Sequence, residues 1–250
     1  MRPKGLSEAS ALFPVETGGR SAPAAPVGAE GHRGRMRQKL LEAGPDGVTL
    51  TDRDLIEMVL FLALPRRDTR SIALALLNRF GSFAEALSAP AQELRQVEGM
   101  GDAAIAALRT VQVAAIRLAA APVRNQEVLN SWAKLMDYLN TLLARERVEH
   151  FRVLFLDSKN RLIADEQQGK GTVNHTPAYP REIVKRALEL HATAVILVHN
   201  HPSGDPQPSR GDIEMTAEVR AAAQALGITL HDHLIIGRGE PYSFRREGLI

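Results

Sequence analysis

Residues 194–212, AVILVHNHPSGDPQPSRGD, constrain this chain more than any other stretch. The first five are apolar and rich in β-branching, which reads as a short buried strand. Side chains two apart on a strand share a face, so His199 and His201 emerge together at its C-terminal end. Pro202, Gly204, Pro206 and Pro208 then argue for an ordered, turn-rich loop and against a helix. The following IEMTAEVRAAAQAL has helical composition and runs towards Gly227, the expected C-cap. Asp212 falls in the first turn of that helix, where a carboxylate also complements the macrodipole. Strand end, loop and helix start thus bring two imidazoles and a carboxylate to one point.

Such a donor set suits Zn²⁺, and three protein ligands leave a fourth tetrahedral position open for water. An open position marks a catalytic zinc, so the segment reads as a zinc hydrolase site with one Zn²⁺ per chain. An HxH pair alone is a weak signal. Ser209 and Asp212 also form a capping box, S-x-x-D, which needs no metal, but capping and metal binding are compatible. A second pair, His231 and His233 in ITLHDHLIIG, has no acidic residue at the matching offset. Asp232 and His233 are expected at a sheet end near the site, as hydrogen-bond partners that orient the ligands. His150, His175 and His191 lack a partner pattern and read as solvent or packing residues.

The spacing H-x-H-x7-S-x2-D resembles the JAMM motif of the MPN domain superfamily, which includes zinc isopeptidases. YPREIVKRALEL, AVILVHNHPSGDPQPSRGDIEMT, DHLIIG and SFRREGLI resemble blocks of the RadC family in the same order. The resemblance spans about residues 31–250. It implies a zinc held by His199, His201 and Asp212, and a peptide or isopeptide bond in a protein or peptide as substrate. It also implies a general-base glutamate at the entry to the first core strand. Glu149, just before FRVLFLD, is the match, with Glu182 the alternative. Ser209 would stabilise the oxyanion. Asn200 stands where the peptidase members usually carry Ser or Thr, and is usual for RadC.

Upstream, AQELRQVEGMGDAAIAALRTVQ reads as helix, tight turn and helix, and resembles a helix-hairpin-helix. Gly99 and Gly101 bracket the turn, whose amides and following helix N-terminus could hold a DNA phosphate, with Arg95 and Arg109 as assisting charges. Glu98 and Asp102 oppose that reading. HRGRMRQK at residues 32–39 adds basic charge.

The expected architecture is multidomain, α plus α/β. Residues 1–30 form a flexible tail, 31–122 a helical domain with the helix-hairpin-helix, 123–146 a linker and connecting helix, and 147–250 a mixed-sheet domain flanked by helices. Thr51 to Asp54 reads as a capping box opening a helix that Pro65 closes. Absence of cysteine excludes disulfides, cysteine peptidases and thiolate zinc sites such as those of nucleobase deaminases. No stretch of 18 apolar residues and no signal-peptide h-region is evident, so a cytoplasmic protein without a membrane span is expected. A net charge of +2 does not by itself argue for nucleic acid. Two alternatives remain: a DNA-associated repair or recombination accessory protein with a non-catalytic metal, and a nuclease. A single-metal His/His/Asp site is poorly suited to two-metal phosphoryl chemistry.

Overall fold

Thr51 opens its helix in the expected way. Its hydroxyl accepts from the Asp54 amide at 3.2 Å, and the Asp54 carboxylate accepts from the Thr51 amide at 2.9 Å. The computed structural model describes residues 27–123, 127–170 and 179–250, and its first part is wholly helical. The helices are α1 (Val27–Glu42), α2 (Asp52–Ala63), α3 (Arg70–Phe80), α4 (Phe83–Ser88), α5 (Ala91–Leu94) and α6 (Asp102–Ala120). The tail expected over residues 1–30 lies outside the described residues up to residue 26, and α1 begins at Val27. Apolar faces of α2, α3 and α6 close on one core containing Ile56, Leu60, Leu76, Leu94 and Leu108. Complete burial of such side chains stabilises by about 1.5–3 kcal/mol each. Polar contacts fasten α1: His32 Nε2 lies 2.6 Å from the buried Glu57, and Arg33 donates to the carbonyls of Leu64 and Arg67.

The helix α6 belongs to two cores. Ala104, Ile105 and Leu108 pack in the first, whereas Ile116, Ala119 and Ala120 pack in the second, under the sheet. At 19 residues it also meets the length and apolarity of a membrane-crossing helix. Only 22% of that apolar window is buried, with Val113 and Leu118 exposed, and Arg109 and Arg117 interrupt it.

The second part is a five-stranded mixed sheet between helices. A 3-10 turn (Val128–Ser131) and α7 (Trp132–Leu143) precede β1 (His150–Leu156) and β2 (Leu162–Lys170). Then follow α8 (Pro180–Glu189), β3 (Ala194–Asn200), α9 (Arg210–Gln224), β4 (Thr229–Ile236) and β5 (Tyr242–Ser243). The order is β2-β1-β3-β4-β5, with β3 and β4 parallel and the other neighbours antiparallel. Central β3 is buried at all seven positions, which is why its sequence does not alternate. One sheet face packs on α7 and the end of α6 through Leu154, Ile196, Val198 and Leu234. The other packs on α8 and α9 through Phe151, Val153, Val195 and Leu197. The helix α9 ends at Gln224, and Gly227, at φ 73°, turns the chain into β4.

Candidate metal centre

His199 lies within β3 and His201 just beyond its end, so alternation puts both on the α8/α9 face. The loop after them is pinned to the neighbouring strand. The His201 amide donates to Ile236 O at 3.0 Å, and the Arg238 amide donates to Gly204 O at 2.9 Å. This loop delivers Ser209 as N-cap of α9, with Asp212 three residues on. Ligand atoms of His199, His201 and Asp212 all lie within 4.8 Å of one another.

The distances fit a small cation. His199 Nε2 is 3.0 Å from His201 Nε2 and 3.3 Å from Asp212 Oδ1, and His201 Nε2 is 3.7 Å from Asp212 Oδ2. Tetrahedral zinc with bonds near 2.0–2.1 Å would separate its ligands by about 3.3 Å. His199 is buried, whereas the side chains of His201 and Asp212 keep 19% and 16% exposure, so the open side lies along these two.

Hydrogen-bond accounting fixes which ring nitrogens are free. His201 Nδ1 is 2.8 Å from Asp205 O, a pure acceptor, so it carries a proton and Nε2 faces the cluster. The other chain starts at Thr216, whose single hydroxyl proton goes to Asp212 O at 2.5 Å. Thr216 Oγ1 must then accept from His233 Nδ1 at 2.6 Å. Burial holds His233 well below its ordinary pKa, so this ring is neutral and its Nε2 accepts. It accepts from His199 Nδ1 at 2.8 Å, which leaves the His199 Nε2 lone pair aimed at Asp212. Such partners raise the basicity of a ligand and fix its orientation.

Electrostatics agree with a cation site. Burial pushes His199 down to about 4, a neutral imidazole at pH 7. His201 is raised, first by its contact with Asp212, with smaller help from the Asp205 carbonyl and Glu149. Burial would raise Asp212, but His201, His199 and Ser209 outweigh it and hold the carboxyl below the usual carboxylate range. A cation in place of the His201 proton would satisfy the same negative charge.

The remaining candidates fall in several places. Glu149 is half-buried in the link before β1, and β1 pairs antiparallel with β3 at Phe151↔His199. Continuing that register sets Glu149 opposite His201. Ser209 donates its hydroxyl proton to Asp212 Oδ2 at 2.6 Å, and so braces the carboxylate. Glu182 is half exposed on α8 and paired with Arg181. His233 is fully buried at mid-strand opposite Leu197, not at a sheet end. Asp232 turns away from the cluster and accepts from Ser243 Oγ and the Arg245 amide, tying down β5. His175 lies outside the described residues, while His150 is half-buried beside Gln167. Thr216 was not singled out from sequence. Its signal is its position four residues after Asp212, on the same face of α9.

In the helical part, Gly99 has φ 90°, as a tight turn requires, whereas Gly101 is the N-cap of α6 at φ −90°, a backbone that needs no glycine. The α5 helix before it is only four residues long. Arg95 pairs with Asp102 at 3.0 Å. Arg109 donates to Leu87 O and Ala89 O and contacts Gln112, and so fastens the end of α4.

The profile of the RadC-like JAB domain matches residues 129–249. A UPF0758 protein of Rhodobacter capsulatus is 54% identical over 215 residues, 86% of this chain and 100% of that protein. A UPF0758 protein of Ruegeria pomeroyi is 51% identical over 219 residues, 88% of this chain and 97% of that protein. With this identity across nearly the whole length of both relatives, and with the His/His/Asp cluster in the matched region, the chain belongs to the UPF0758/RadC family and carries a RadC-like JAB domain of the JAMM/MPN superfamily.

Proposed function

We propose that the protein is a zinc-dependent hydrolase that cleaves a peptide or isopeptide bond. The observation that carries this reading is the pair of imidazoles whose Nδ1 atoms are both engaged, leaving both Nε2 atoms beside one carboxylate. A structural site would use a fourth protein ligand, and among the described residues the cluster has three. Zinc bound there would lower the pKa of a coordinated water to about 7 and polarise the scissile carbonyl.

The chain's own groups have distinct tasks in this proposal. Glu149, in the link facing His201, takes the proton from the attacking water and returns it to the leaving amine. Asp212 is held ionised by its histidine and serine contacts, so it offers a permanent negative ligand. Ser209 is the candidate donor to the developing oxyanion, and its hydroxyl must turn away from Asp212 Oδ2 to serve. Nucleic-acid contact at the Gly99 turn is not needed. A phosphate there would compete with Asp102 for Arg95.

Metal analysis should find about one zinc per chain, lost in His199→Ala and Asp212→Ala. Glu149→Gln should keep the zinc and lower hydrolysis of fluorogenic peptide or isopeptide substrates by about 10²–10⁴-fold. Wild-type protein without zinc would overturn the whole reading. Full activity in zinc-loaded Glu149→Gln would remove Glu149 as the base. A zinc-loaded protein that cleaves no such bond would favour the accessory-protein alternative.

A further inference from the structure

Asn200 stands between the two histidines but faces the opposite side of the sheet. It is buried at 1% exposure, and its carboxamide spans the link between α7 and β1. The side-chain oxygen accepts from the His150 amide at 2.9 Å. The side-chain NH₂ donates to Val148 O at 3.1 Å and to Glu146 O at 3.3 Å. Chemistry fixes this orientation: an amide N–H needs an oxygen, and two carbonyls need hydrogens. Glu149 lies between the two shorter of these contacts, at Val148 and His150.

We propose that Asn200 is a positioning residue for Glu149, setting the height of the 146–150 strap so that the glutamate faces the His199/His201/Asp212 cluster. The proposal rests on Glu149 being the general base. Residues 146–149 of the strap have no helix or strand of their own, so their backbone groups need outside partners. Arg147–Glu93 and Arg145–Glu85 also hold this region, linking it to α5 and α4. Those pairs are partly exposed and screened by salt, whereas the Asn200 contacts are buried and short of alternatives. A serine here would be too short to reach both sides and has one donor. Aspartate has no donor for the carbonyls.

The test compares Asn200→Ala, Glu149→Gln and the double variant, all zinc-loaded, with amide exchange measured on each. Asn200→Ala should retain one zinc, because the three ligands are untouched. Its His150 amide should exchange at least about tenfold faster than wild type. kcat should fall by about 10²-fold with KM little changed, and the double variant should be no slower than Glu149→Gln alone. Unchanged exchange at His150, or a kcat loss that multiplies with that of Glu149→Gln, would overturn the proposal. If Asn200→Ala melts or loses zinc, Asn200→Ser keeps a polar group in the space and is read by the same criteria. Failure of the wild-type protein to hydrolyse any substrate would sink the functional reading, while the exchange at His150 would still decide whether Asn200 holds the strap.

Discussion

At the scale of single residues, the chain Thr216–His233–His199 turns a common HxH spelling into an oriented donor pair. Thr216→Val removes the acceptor that keeps the proton on His233 Nδ1, so His233 can offer the wrong nitrogen to His199. Zinc affinity should fall about 10–100-fold with stoichiometry intact at saturating metal, as measured by chelator competition. Affinity equal to wild type would show that ring packing alone orients His199. The same burial predicts an acid response. His199 is pushed down to about 4 and His233 well below its ordinary value, chiefly by desolvation. Below about pH 6.5 the unfolded chain binds protons at these sites that the native state refuses. Metal-free protein should therefore lose stability as pH falls from about 6.5 towards 4, by roughly 1 kcal/mol per imidazole near pH 5.5. The raised His201 adds its stability as pH falls towards about 6.5, above this window, and does not offset the loss below it. Asp212 contributes only lower down, because a depressed carboxyl loses its stabilisation below about pH 3.8. Urea titrations across this range would test it, and stability that rises on acidification would contradict it.

At the scale of elements, the unit that makes the site is β3, its loop and α9, braced by the turn after β4. Gly237 is the tightest point of that brace. A Cβ there would lie 2.4 Å from Gly204 O and 3.0 Å from Pro206 Cδ, and backbone cannot move aside as a flexible side chain can. Gly237→Ala should displace the loop between His201 and Ser209, destabilise the protein by about 1–3 kcal/mol and weaken zinc binding. Thermal melting and zinc titration would check it. Normal zinc affinity would mean that the loop is not what places Asp212. Much of this unit is legible in sequence. The unbroken apolar run gives the buried strand, the prolines exclude a helix, and S-x-x-D gives the cap that was found. The tie between Gly237 and Gly204 is not legible, because it joins loops 33 residues apart through backbone that any sequence possesses.

At the scale of the molecule, α6 couples the helical part to the sheet, with residues of one helix buried in both cores. A chain starting after residue 123 should therefore be less stable than one that keeps the second half of α6, by a few kcal/mol for the loss of Ile116, Ala119 and Ala120. Equal denaturation midpoints for the two would show that α6 adds nothing to the sheet core. Local patterning and short spacing suffice for the helical first part, the buried strand and the His199, His201, Asp212 triplet. Tertiary structure alone decided which imidazole nitrogens are free, that His233 lies in mid-sheet, that Arg95 and Arg109 have protein partners, and that Asn200 faces the strap carrying Glu149. These are contacts between residues distant in sequence, set by strand register and helix packing, and periodicity carries no record of which distant group completes a hydrogen bond.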